Sequence, residues 1–432
     1  MTKIEDALRD FNPWWEKKFS LLYHEREIFA EIKKYLGLPM MIALFGLRRA
    51  GKSTLMLKIA EDYIAKGMPP NRVLYFSFDD FKDAEPVEIV RGYERLNALD
   101  INDGNYLFLF DEIQKLTDWQ DKIKTLYDTH KGKIKIILSG SESLFLKKGA
   151  KESLAGRVFL FNVRLLSFKE FIAFKDQKAL LKLPRLHRKE LLRLFEDYLH
   201  TQGFPELVDI KDKEVIRKYI REGIIDKIIY KDIPQLFKIE DVGVLESLIN
   251  LLMDEPGQLI ELSNLASELK ITRQTLSNYI TYLEESQLLK KLYNYSRNAR
   301  KTERKLKKYY PTVISADLPF SADSTARSRA FEWLIVNQTG AEFFWRDAYK
   351  NEVDIVLGKK VPVPIEIKYG KISAEGLSAF MRKFKIKNGA IVSFDIEDEI
   401  KVKGGTIKII PAYSMLLANS QRVRELKSPS TR

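Results

Sequence analysis

The chain is 432 residues long, and at roughly 150 residues per domain several cores are expected. Its 45% hydrophobic, 11% aromatic and 31% charged residues exclude a disordered or fibrous protein, and 73 Lys and Arg against 60 Asp and Glu leave a charge of +13, which favours a polyanionic partner. The absence of cysteine removes disulfides, thiolate zinc sites and cysteine nucleophiles, and fits a reducing compartment. His24, His130, His187 and His200 show no zinc-ligand spacing, so any metal is expected on oxygen. No apolar run reaches the roughly 18 residues of a membrane span and Met1 to Asp10 is polar, so a cytoplasmic protein without membrane contact is expected.

In chain order, the apolar runs Met41 to Phe45, Val73 to Phe78, Tyr106 to Phe110 and Ile134 to Leu138 are each followed by an amphipathic or charged stretch. Such alternation predicts a parallel sheet, with helices at Lys52 to Lys66 and Trp119 to Thr129. Between the first run and its helix stand Gly46, Leu47, Arg48, Arg49, Ala50, Gly51, Lys52 and Ser53, then Thr54, a G-x-x-x-x-G-K-[ST] loop in the strand–helix context it requires. The glycines let backbone N–H groups wrap phosphates, Lys52 reaches the terminal phosphates, and Ser53 offers a hydroxyl to Mg²⁺. The third run ends in Asp111 and Glu112, an acidic pair able to hold Mg²⁺ and to activate water. Ser139 follows the fourth run, where ligands of open α/β sheets bind; it is either a sensor of the γ-phosphate or part of a polar turn. ATP and Mg²⁺ are therefore the expected cofactors.

From Leu166 to about Ile239 only helical periodicity is present, broken at Gly203-Phe204-Pro205. After the turn cluster Asp254 to Gly257, two helices in helix-turn-helix spacing are predicted, the second capped by Thr272. Leu276, Tyr279, Ile280 and Leu283 form its buried side, while Arg273, Gln274, Ser277, Asn278 and Thr281 fall opposite and are groove-reading residue types. Lys290 to Tyr310 then holds nine Lys or Arg, among them Arg300, Lys301, Arg304 and Lys305, against one acid, Glu303. This stretch can lie along nucleic-acid phosphates, or pack as a lid or against another protein with its charges solvated. Beyond Pro311 a helix (Arg327 to Asn337) and strands at Glu342 to Arg346, Val353 to Leu357 and Pro364 to Lys368 are expected, with a frayed tail from Ser420 to Arg432. Glu366 and Lys368 alternate onto one strand face and Asp354 can approach from the neighbouring strand. Two acids beside a lysine suit Mg²⁺-assisted phosphodiester cleavage.

The loop Gly46 to Thr54, the pair Asp111-Glu112, Leu138 to Ser141, Leu154-Ala155-Gly156-Arg157-Val158, Leu166 to Phe171, Gly203 to Glu206 and Tyr230 to Ile233 resemble the AAA-type ATPases of prokaryotes. More narrowly they resemble the group in which the ATPase precedes a winged helix and a restriction-endonuclease-like domain. The resemblance implies an α/β multidomain chain: a P-loop parallel-sheet ATPase core (1–165), a helical lid (166–240), a winged helix-turn-helix (241–310) and a restriction-endonuclease-like α/β domain with a frayed tail (311–432). It implies that Arg157 completes a neighbouring subunit's site in a homo-oligomer; a surface or intramolecular ion pair is the alternative. It also likens Asp354, Glu366 and Lys368 to a D…E-x-K motif, with Glu332 as the extra helix acid among the metal ligands.

The function expected is that of a Mg-dependent ATPase coupling nucleotide state to DNA binding and, through its last domain, to DNA cleavage. Its rival is an ATP-switched regulatory or interaction protein whose last domain binds without cleaving. A small-molecule P-loop kinase would leave the helix-turn-helix and the C-terminal region without a purpose.

Overall fold

A computed structural model describes residues 3–140, 154 and 156–418, with backbone alone at 299, 303 and 304. Ser141, Ala155, the tail from Ser420 to Arg432 and the side chain of Arg304 lie outside the described residues. The chain divides into two compact units, Met1–Leu165 and Leu166–Arg432.

In the first unit, β1 (Met41–Phe45), β2 (Val73–Ser77), β3 (Tyr106–Asp111), β4 (Ile134–Gly140) and β5 (Val158–Asn162) form one sheet, ordered β2-β3-β4-β1-β5. Every pairing is parallel. Met41, Ala43 and Phe45 enter the core on one face, while Ile42 and Leu44 enter the core on the other. Helices cover both faces, which is why β1 to β4 read as unbroken apolar runs rather than alternating ones. The strand β5 was not among the expected strands; its residues other than Phe161 are half-exposed, as suits a sheet edge.

The second unit holds β6 (Gln258–Ile260), β7 (Leu289–Asn294), β8 (Lys307–Pro311), β9 (Phe343–Arg346), β10 (Glu352–Leu357), β11 (Val363–Lys368), β12 (Asn388–Ser393), β13 (Asp398–Val402) and β14 (Gly405–Pro411). They make a single nine-stranded sheet, ordered β13-β14-β12-β11-β10-β9-β7-β8-β6. The join is a parallel pairing of Tyr293 and Asn294 in β7 with Phe343 and Phe344 in β9. The antiparallel hairpin β7–β8 thereby continues the sheet of the C-terminal region. Between 166 and 239 the regular elements are all helices, with π-helical stretches at Tyr219–Ile225 and Ile228–Asp232. Phe168, Phe171, Leu194, Phe195 and Tyr198 from this region share one core with Leu334, Ile365 and Val392. Helices and sheet are therefore packed as one body across the expected boundaries at 240 and 310. Among the described residues no helix is long and apolar enough to cross a membrane.

Candidate functional site

Two polar constellations stand out, one in each unit. In the first, β1 delivers the chain to Gly46, whose φ of 152° and close approach to the Val163 carbonyl leave no room for a Cβ. Gly51, at φ 94°, starts the helix Lys52–Ala65, so the loop's amides and the helix's positive end face the same space. Lys52 is 5% exposed, and its ammonium donates to the carbonyls of Gly46 (3.2 Å) and Leu47 (3.0 Å), across the loop it would share with phosphate. Leu47 and Ala50 are buried, Arg48 is half-buried, and Arg49 (φ 60°) and Thr54 are exposed.

Strands β3 and β4 bring the acids and Ser139 to this end of the sheet. Asp111 is buried: Tyr75 donates to its Oδ2 (2.6 Å), Ser139 donates to its Oδ1, and the Glu112 N–H also reaches Oδ1 (3.1 Å). Ser53 acts on the Tyr75 hydroxyl, so Ser53, Tyr75, Asp111 and Ser139 share one neighbourhood of oxygens. These oxygen donors fit Mg²⁺ accompanying a nucleotide; Ser53 and Asp111 would hold it, and the ion would supply charge neutralisation at the phosphates. Glu112 has φ 52°, and Gln114 donates to its Oε2 (2.6 Å). Burial raises its pKa above the ordinary carboxylate value, Lys52 opposes the rise, and Asp111 adds to it. A carboxylate so placed can orient and deprotonate water.

Arg157 is not brought to this loop. It precedes β5, at the opposite end of the sheet from Gly46, and pairs with Asp128 (3.1 Å) on the surface. Two residues not anticipated from sequence belong to the site. Arg26, 4% exposed, donates to the carbonyls of Ala50 (2.8 Å) and Arg164 (2.7 Å), buttressing the loop from behind. Tyr75 links the hydroxyl side of the loop to Asp111. Neither has a local signal, since the partners lie 24 and 36 residues away.

In the second unit, Asp354 on β10, Glu366 and Lys368 on β11 and Glu332 on the helix Ser324–Thr339 occupy one neighbourhood, for the charges of Glu332 and Asp354 both act on Lys368. Lys308 of β8, 7% exposed, enters among the acids: its Nζ is 2.5 Å from Glu352 Oε1, 3.4 Å from Glu332 Oε1 and 3.8 Å from Asp354 Oδ1. Two residues along, Tyr310 points the same way and donates to Glu332 (2.6 Å). Asp354 Oδ2 accepts from the Ile367 N–H (2.8 Å), Arg346 pairs with Glu352 (3.1 Å), and Glu366 is held by Lys368 (2.7 Å) and the Leu377 N–H (3.2 Å). Burial opposes the charge of Lys308, but Glu332, Tyr310, Asp354 and Glu352 overcome it and keep the ammonium's pKa well above its ordinary value. Asp354 is shifted upward by burial and by Glu332, against the pull of Lys308. Among the described residues no group of three or more His, Cys, Asp or Glu is arranged to hold a metal ion. The carboxylates that the D…E-x-K resemblance assigns to a metal are here engaged by Lys308, Tyr310, Lys368 and backbone N–H groups.

The helix Arg273–Glu285 buries Leu276, Tyr279, Ile280 and Leu283 and exposes Arg273, Gln274, Asn278 and Thr281, with Ser277 half-exposed. Gln274 donates to Asn278 on that outer face (3.0 Å). Between β7 and β8 the short helix Ala299–Arg304 carries exposed Arg300 and Lys301. Burial, and after it the neighbouring Lys383 and Lys301, lower the pKa of Lys305.

Residues 39–172 match the family model of an AAA domain. Residues 192–312 and 331–415 match two further models, each a domain of unknown function (DUF8612 and DUF4143). An uncharacterized protein of Methanocaldococcus jannaschii is 27% identical over 412 residues, covering 87% of this chain and 84% of that protein. A second protein from that organism is 28% identical, over 59% of this chain and 56% of its own length, and one from Haemophilus influenzae is 28% identical over 58% and 61%. Among solved structures, AMPPCP-bound DnaA from Aquifex aeolicus aligns at 18% identity over 62% of this chain and 90% of that one, with a TM-score of 0.29. C. elegans PCH-2 aligns at 15% over 64% and 72%, with 0.28. Scores this low bear on neither fold nor function. The phosphate loop, the Asp111-Glu112 pair and the family-model match together make residues 39–172 an AAA-type ATPase domain.

Proposed function

We propose that the chain hydrolyses ATP in its first unit and uses the nucleotide state to control binding of DNA by its second. The observation that carries the ATPase half is the convergence of a buried Lys52, Ser53, Asp111 and Glu112 at the carboxyl edge of one parallel sheet. Lys52 neutralises the terminal phosphates, Ser53 and Asp111 hold Mg²⁺, and Glu112 activates the attacking water. Ser139, bonded to Asp111, would report whether the γ-phosphate is present. Arg157, remote from its own loop, would act on a neighbouring copy in a homo-oligomer.

The DNA half is supported by the exposed polar face of the helix Arg273–Glu285, read as the recognition helix of a winged helix, and by the basic hairpin beside it. For the C-terminal region, binding without cleavage is favoured over the D…E-x-K nuclease, because the carboxylates of Glu332, Asp354 and Glu366 are already engaged.

The test measures nucleotide binding and turnover with and without single-stranded, duplex and branched DNA. Lys52→Ala is expected to abolish or greatly weaken ATP binding, and Glu112→Gln to keep binding and stop hydrolysis. Normal turnover by Lys52→Ala would overturn the assignment. Following the same DNAs for cleavage in Mg²⁺ and Mn²⁺ separates the two readings: a nuclease would cut and lose cutting on Asp354→Ala, whereas a binding domain leaves every substrate intact.

A further inference from the structure

We infer that Lys308 is the resident cation of the second unit's carboxylate cluster, and that the cluster, so filled, is closed to divalent metal. The inference goes beyond the proposed function and holds whether or not the chain hydrolyses ATP or binds DNA.

Three acids from two elements, Glu332 from a helix and Glu352 and Asp354 from β10, do not gather around one largely buried point without a positive partner, since uncompensated desolvation of each charge is costly. Mg²⁺ or Mn²⁺ would answer that need with about six oxygens in a tight octahedron. Here the need is met otherwise. The Lys308 ammonium stands between the three carboxylates at 2.5 to 3.8 Å. The remaining donors are protein groups as well: Tyr310 on Glu332, Arg346 on Glu352 and the Ile367 N–H on Asp354. Glu366, which a metal would also call upon, is held by Lys368 and the Leu377 N–H.

An ammonium and a divalent ion cannot share so small a space, because their repulsion at a few ångströms adds to the loss of the ligands' existing bonds. Metal entry therefore requires Lys308 to leave. Its backbone is paired on both sides, with Leu292 in β7 and Leu259 in β6, so the residue cannot withdraw without opening the sheet. Lys308 also lies in the basic stretch for which sequence alone leaves nucleic-acid contact and packing against protein both open. Its burial removes it from the surface and turns it inward as the tie between the hairpin and the C-terminal strands.

The experiment uses the full chain, free of nucleotide, with Mn²⁺ alone as the probe, bound ion being counted by electron paramagnetic resonance and calorimetry. Wild type is expected to show no Mn²⁺ binding that Asp354→Asn removes. The double variant Lys308→Met, Glu352→Gln removes one positive and one negative charge together. It is expected to take up one Mn²⁺ at least about ten-fold more tightly than wild type, and to lose that gain when Asp354→Asn is added. A wild-type site abolished by Asp354→Asn overturns the inference, and so does a double variant with a native melting transition and no gained Mn²⁺. Should the double variant fail to fold, wild type against Asp354→Asn decides the matter alone.

Discussion

His200 illustrates how much of this molecule's chemistry depends on residues far apart in sequence. Its ring stacks on Phe320 at a centroid distance of 4.0 Å and an angle of 11°. Burial lowers its pKa below the ordinary 6.5, with Glu196 and Asp197 pulling upward and Arg327 downward. A base whose folded pKa is depressed stays neutral in the fold while the unfolded chain takes up its proton first. The stability it contributes is therefore complete above the ordinary histidine range and is lost as pH falls through 6.5 toward the folded value. Between pH 7.5 and 5.5 the urea midpoint of wild type is expected to fall relative to that of His200→Gln. An identical pH profile in wild type and variant would show that the ring does not titrate as placed. The phosphate loop was legible because its chemistry demands particular residue types at contiguous positions. His200, Arg26, Tyr75 and Lys308 were not, for what fixes their roles is a partner at a distance: Ala50 for Arg26, Asp111 for Tyr75, Glu332 for Lys308.

At the scale of elements, pattern succeeded for β1 to β4 and for the helix Arg273–Glu285, though not for β12, which is also buried along nearly its whole length. β1 to β4 are buried on both faces and read as continuous apolar runs; the helix Arg273–Glu285 is half-buried and reads at helical period. The edge strand β5 and the strands β12 to β14 were not anticipated. β13 is exposed along most of its length, so its sequence carries little of the hydrophobic signal. Sequence also left the orientation of the basic stretch open, and the hairpin divides it: Lys308 turns inward, while Arg300 and Lys301 stay exposed and Lys305 is half-buried. Replacing Arg300, Lys301, Arg304 and Lys305 together by Glu should weaken DNA affinity and flatten its salt dependence, since fewer counterions are released on binding. Arg273→Ala with Asn278→Ala should instead reduce discrimination between sequences, each lost base contact being worth about 1–3 kcal/mol. A salt titration in which the four-Glu variant keeps the wild-type affinity and slope would move the hairpin from nucleic acid to a protein partner.

Over the whole molecule, the core is where sequence periodicity falls silent, because periodicity shows which side of a helix is buried but not against what. Phe195 makes the point. Its ring meets Phe168 at 5.5 Å within the helical stretch, Phe331 at 6.0 Å on the helix Ser324–Thr339, and Phe394 at 5.8 Å just beyond β12. The helices that sequence set apart as a lid thus share hydrophobic contacts with the C-terminal sheet, and the second unit should unfold as one cooperative body. The two cores that flank the sheet of the first unit are built from that unit's own residues. Phe195→Ala is therefore expected to cost about 3–5 kcal/mol, the range for truncating a fully buried aromatic. Hydrogen exchange should show that loss in β11 and β12 as well as in the helix Arg188–Thr201, while strands β1 to β4 keep their protection. Exchange that accelerates in the helix alone, with β11 and β12 as protected as in wild type, would mean that the helical stretch is a separate folding unit after all.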